Sequence, residues 1–141
     1  MKRVLNFLRE SQVFYIATVE DNKPKLRPFN AVTAFENRLY IQTAKDKEIY
    51  QQLLANPYIE ICTAEPSGSW IRLSAEAYED TRREARLHMI KTVPMLKKMY
   101  NADDDRMTVF YLKNIDAIIY HRHRAPKVIL CDAVPDPPQE A

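Results

Sequence analysis

Apolar and polar positions along the chain change period several times, and each change marks an element. Val4, Leu5, Phe7 and Leu8 recur at helical spacing within residues 2–10, which predicts a short amphipathic opening helix. Residues 13–20 (VFYIATVE) are rich in β-branched and aromatic side chains and run into the turn signal Asp21-Asn22-Lys23-Pro24, so they read as a strand. Residues 26–35 read as a second strand. Pro28 within it has no N–H to give a ladder, which fits an edge or a bulge. Glu36-Asn37-Arg38 turns into a third strand at 39–44, and the three together predict an antiparallel meander.

The period then lengthens. Ile49, Leu53 and Leu54 recur every three to four residues within 46–55, a helix that Asn56-Pro57 stops. Strands return at 58–65 and 70–80, joined by Pro66-Ser67-Gly68-Ser69. Strict alternation in the latter puts Ile71, Leu73, Ala75 and Ala77 on one face and Trp70, Arg72, Ser74 and Glu76 on the other. Residues 81–100 read as helical, with Ala85, His88, Met89, Met95, Leu96 and Met99 in a stripe interrupted at Pro94. Segments 107–113 and 115–123 predict a closing hairpin that turns at Asn114. Six to seven short antiparallel strands with one inserted helix predict a mainly β, α+β barrel with a few flanking helices. One domain spans 1–133, and the prolines of 134–141 predict a flexible tail.

Composition narrows the function classes. At 141 residues, 46% of them hydrophobic and 28% charged, the chain can build one core and does not read as disordered. It has no apolar run long enough to span a membrane. The basic start MKRVLNFLRESQ is broken by Asn6 and Arg9, unlike a secretory signal. Cys62 and Cys131 are too few and too far apart for a disulfide framework or a zinc site. These features together predict a cytoplasmic protein. A net charge of +2 argues against an electrostatic nucleic-acid binder but leaves room for one local basic pocket. Gly68 is the only glycine, which excludes both the G-x-G-x-x-G loop and the P-loop. A phosphorylated ligand must here be held by side chains, strand rims and a helix N-terminus.

Three basic residues suggest where. Arg27 sits on the second predicted strand, and Lys45 and Lys47 stand where the third strand hands over to the helix. A phosphomonoester carries nearly two negative charges. Two or three cations, a hydroxyl such as Thr43 and the helix N-terminus would compensate them, although Asp46 and Glu48 compete for the same helix end. Spacing alone leaves the alternative open, in which the lysines are a solvated helix start and Arg27 is merely exposed.

The runs ATVEDNKPKLRPF, LYIQTAKDKEIYQQLLANPYIEIC and GSWIRLSAEA resemble the pyridoxamine 5'-phosphate oxidase-like group of FMN-binding split-barrel proteins. The likeness covers roughly residues 10–120 and is strongest to the short branch of nitroimidazole-resistance and general-stress flavoproteins. It implies a split β-barrel and a homodimer with FMN at the subunit interface. It places Arg27, Pro28 and Phe29 under the ring and ribityl chain, Gln42 and Thr43 beside ring and phosphate, and Lys45 and Lys47 at the phosphate. Gln51 lies one turn into the helix, and Trp70 and Arg72 match the strand that reaches the partner subunit's flavin. Ser74 stands where many relatives have Gly, and the C-terminal Arg/His substrate motif is not recognisable, which argues against vitamin B6 phosphate oxidation. The implied function is an FMN-dependent oxidoreductase passing electrons from a donor such as NAD(P)H to a small acceptor. The alternative is a non-catalytic flavin- or haem-binding redox or stress protein, with His121 and His123 as the haem candidates. No metal site and no catalytic acid or base is assigned.

Overall fold

The computed structural model describes residues 1–138 of the protein. Helix α1 (Lys2–Ser11) is followed by strands β1 (Phe14–Glu20), β2 (Lys23–Phe29), β3 (Val32–Phe35) and β4 (Arg38–Ala44). Helix α2 (Glu48–Ala55) leads into β5 (Tyr58–Ala64) and β6 (Trp70–Asp80). Helix α3 (Arg83–Thr92) and a 3-10 turn (Pro94–Lys98) precede β7 (Met107–Tyr120) and the short β8 (Lys127–Ile129). All strand pairs are antiparallel. The sheet runs β2-β1-β5-β6-β7-β4-β3, with β8 added to β7. Its two terminal strands, β2 and β3, have no ladder between them among the described residues, and that gap is the split in the barrel.

Local chemistry explains the boundaries. Pro24 and Pro28 are tolerated because β2 is an edge strand. The segment expected as one strand at 26–35 is two, β2 and β3, interrupted at Asn30-Ala31. The hairpin turns need left-handed backbone, and with glycine scarce it is supplied by Asp21-Asn22 (φ 50° and 62°) and Glu36-Asn37 (φ 50° and 60°). The expected hairpin at Asn114 is instead one continuous strand. Asn114 does have positive φ (54°), but it serves a bulge: the β6/β7 register shifts between Ser74 and Glu76. β7 stops at Tyr120, so His121 and His123 lie beyond the strand rather than on one of its faces.

Two cores result. Inward residues of the barrel, including Phe14, Ile16, Ile41, Ile61, Ile71 and Leu73, pack with Val4, Leu5, Phe7 and Leu8 of α1 and Ile49 and Leu53 of α2. The alternation expected for β6 holds. A second core joins the outer faces of β4 and β7 to α3, through Tyr40, Val109, Met89, Ile90 and Leu96. This sandwiching leaves the first half of β7 buried on both faces, so Met107–Leu112 is a continuous apolar-rich run. Of the tail beginning at 134, the described part lies against the barrel. Arg38 Nε donates to Pro135 O at 2.9 Å, and Lys113 pairs with Asp136 at 2.9 Å. Residues 139–141 lie outside the described residues.

Candidate functional site

A groove of about 420 Å³ opens beside the split edge of the barrel. Pro28, Phe29 and Asn30 from the end of β2 form one wall, and Leu96, Met99 and Tyr100 around the 3-10 turn form the other. Gln42 and Lys47 line it between them. Met95 and Met99, expected in the buried stripe of a helix, are instead half exposed at the groove's lip. Pro94 ends α3 and starts a 3-10 turn, so the helical spacing no longer holds beyond it. Lys47 is the N-cap residue of α2, its side chain exposed.

Arg27 stands next in sequence to the groove wall but points to the flank of α2. Its Nη1 donates to Ile16 O at 3.2 Å and to Thr18 Oγ1 at 2.7 Å, and its Nη2 donates to Gln52 Oε1 at 2.6 Å. Every one of these acceptors is neutral, and among the described residues no carboxylate lies within ion-pair distance of Arg27. Burial lowers the Arg27 pKa, and the nearby negative charge of Glu48 opposes that shift. Among the described residues Nε has no acceptor, so part of the guanidinium fork is free for an anion.

Two further donors are buried without partners, Thr43 Oγ1 and Gln52 Nε2. Thr43 follows Leu39 and Ile41 on the inner face of β4. Gln52 sits on the inward face of α2 beside Leu53, where its oxygen accepts from both Arg27 and Thr18. These two donors fix which end of the amide faces them and turn Nε2 away. Nearby, Tyr50 donates to Glu79 Oε1 at 3.0 Å and Thr108 to Glu79 Oε2 at 2.5 Å, which ties α2 to β6 and β7.

The other candidates fall elsewhere. Lys45 pairs with Asp105 at 3.5 Å, and its N–H donates to Arg106 O at 2.7 Å. The segment before α2 is thereby drawn toward the 103–106 loop, and the structure does not bring Lys45 into the groove. Gln51 is exposed on α2 and does not line the groove. Trp70 and Arg72 lie on the outer face of β6. Trp70 stacks on Tyr120 of β7, and Arg72 lies over both rings at 5.2 and 5.8 Å. The register Pro28↔Tyr15↔Cys62↔Arg72 puts Arg72 three strands from Pro28, roughly 14 Å across the sheet. Ser74 donates to Glu60 at 2.9 Å on the same face.

His121 Nδ1 lies 3.2 Å from both Ser69 Oγ and Arg124 Nη2. Among the described residues no three His, Cys, Asp or Glu side chains gather as a metal-holding group. Nor, among the described residues, is any helix long and apolar enough to cross a membrane.

Sequence reasoning missed Thr18, Gln52, Met95, Met99 and Tyr100. A signal existed for the first two: each is a polar residue on an otherwise apolar face, beside Phe14 and Ile16 in β1 and beside Ile49 and Leu53 in α2.

Fold and groove define a class, the split β-barrel whose candidate anion site is built from side chains at a strand–helix junction. A family model described as pyridoxamine 5'-phosphate oxidase matches residues 1–122, and the chain belongs to that family. A NimC/NimA family protein from Clostridium acetobutylicum is 39% identical, with 91% of this chain and 90% of that chain covered and a TM-score of 0.89. A pyridoxamine 5'-phosphate oxidase-related, FMN binding protein from Nostoc punctiforme is 17% identical over 92% and 94% of the two chains, with a TM-score of 0.64. General Stress Protein 26 from Bacillus anthracis is 15% identical over 91% and 98%, with a TM-score of 0.67. These last two share the fold. No curated protein matches the sequence.

Proposed function

We propose that the protein binds FMN at the β2–β4–α2 junction and works as an oxidoreductase, moving electrons from a reduced donor such as NAD(P)H to a small acceptor. The observation that carries this reading is Arg27, a partly buried cation held only by neutral acceptors at 2.6 to 3.2 Å beside an open groove. A charge kept in that state calls for an anion. The walls formed by Phe29, Leu96, Met99 and Tyr100 fit a flat apolar ring. The FMN-binding relative and the family membership support the same ligand.

In this reading Lys47 and Arg27 hold the phosphate, and the N-terminus of α2 adds its dipole. Gln42, Pro28 and Phe29 position the ring, while the methionines at the lip shed water from it. A bound flavin supplies reversible hydride and single-electron transfer. The chain's own task is to orient it and to set its charge environment, and no acid or base from the protein is required. The working unit is a homodimer with flavin at the subunit interface. Supporting this, the outer sheet face presents Tyr15, Cys62, Trp70, Tyr120 and Val128 across neighbouring strands, Tyr15 and Val128 well exposed, and Arg72 in their midst. A second copy covering it would bring Trp70 and Arg72 toward the partner's groove. The test is turnover: protein loaded with FMN should be bleached by NADH or NADPH without air and recover its yellow spectrum when an acceptor is added. Failure of every reduced nicotinamide to bleach a bound flavin would overturn the oxidoreductase reading.

A further inference from the structure

Gln52 occupies a position where a carboxylate would be the charge-matched partner for Arg27. It is 2% exposed, and its Oε1 lies 2.6 Å from Arg27 Nη2 and 2.5 Å from Thr18 Oγ1. A glutamate there would satisfy both donors with a charge-assisted pair and leave no orphaned amide N–H. The amide instead fixes the direction of the guanidinium and leaves its charge intact. The negative charge that acts on Arg27 is that of Glu48, which is exposed and, among the described residues, beyond ion-pair distance.

We infer that Gln52 is the positioning residue that sets the site's preference for a phosphorylated flavin over its uncharged counterpart, by orienting Arg27 through a neutral acceptor. This rests on the FMN reading above. An acidic residue at 52 would convert Arg27 into a closed internal ion pair, and the site would then discriminate poorly between FMN and its uncharged counterpart, riboflavin. An apolar residue of similar volume would leave the charge available. The ratio of riboflavin to FMN dissociation constants is thus the readout. A purely structural role would change both affinities together and leave the ratio where it was.

The experiment titrates FMN and riboflavin into the wild type, Gln52→Glu and Gln52→Met, with circular dichroism to confirm folding. The wild type should prefer FMN. Gln52→Glu should lower FMN affinity about ten- to a hundredfold with riboflavin affinity little changed, the range expected for one charged hydrogen bond. Gln52→Met, which removes the acceptor that aims the guanidinium but leaves its charge unpaired, should lose part of the preference, less than Gln52→Glu does. If Gln52→Glu does not fold, Glu48→Gln reads the same charge balance at an exposed site, and the preference for FMN should rise. Gln52→Glu binding FMN as the wild type does, or Gln52→Met keeping the full preference, overturns the inference alone. A wild type that binds no FMN overturns the proposed function and the inference with it.

Discussion

Trp70 and Tyr120 face each other across the β6–β7 ladder with ring centroids 4.2 Å apart and only 14° between their planes. They are direct register partners, so the stack is a cross-strand pair and not a chance surface contact. Arg72 closes over both rings. Trp70 is the only tryptophan, which makes its emission a clean reporter of this face.

Tyr120→Ala is expected to cost about 1 kcal/mol, the value of a cross-strand aromatic pair. Urea unfolding followed by Trp70 emission measures it. Because the same face is proposed to meet a second copy, sedimentation should also show a weaker dimer. An unchanged dissociation constant for the dimer would place the subunit contact elsewhere.

A second test concerns acid stability. Arg82 bridges Asp80 (Nη2 to Oδ2, 2.9 Å) and Glu36 (Nη2 to Oε1, 2.5 Å), and Tyr40 donates to Asp80 at 2.8 Å. The hydrogen bond from Arg82 is the main cause that lowers the Glu36 pKa. Burial pushes Asp80 up, but the hydrogen bonds from Arg82 and Tyr40 more than reverse it and leave its carboxyl low as well. Carboxyls depressed in the folded state add stability above their unfolded values, near pH 4, and that stability is lost as pH falls through the folded values. Unfolding free energy should therefore drop below about pH 4. Asp80→Asn should cost about 3 kcal/mol at pH 7, because it strips a buried charge partner from Arg82, and should flatten that acid limb. An acid limb as steep as the wild type's would remove Asp80 as its source.

Strand positions were legible wherever one face is buried, because alternation reports that directly: the inward set Ile71, Leu73, Ala75 and Ala77 reads off the sequence. The errors have a common cause. Asn114 adopts the left-handed backbone that a hairpin turn needs, and a bulge in a continuous strand needs it too, so residue type alone cannot separate them. Met95 and Met99 keep helical spacing past Pro94, where the backbone no longer does. For the site, the chain order of Arg27, Gln42 and Lys47 was visible. The side of the junction on which each cation falls was not, since the 103–106 loop that takes Lys45 is about sixty residues distant in sequence.

That division gives a third test. Lys47 lines the groove, whereas Lys45 pairs with Asp105 outside it. Lys47→Ala should weaken FMN binding about tenfold, and Lys45→Ala by less than about threefold. Fluorescence quenching of FMN on titration measures both. A larger loss at Lys45 would mean that the phosphate sits on the other side of the junction.

The central claim is that side chains from β2 and α2 replace a glycine cradle in holding the phosphate. Isothermal titration of FMN into the wild type and the Arg27→Ala/Lys47→Ala double variant, each checked for folding by circular dichroism, tests it most directly. The wild type should bind tightly and the folded double variant at least about a hundredfold more weakly. Equal affinity in the two proteins, or no binding by the wild type, would contradict it.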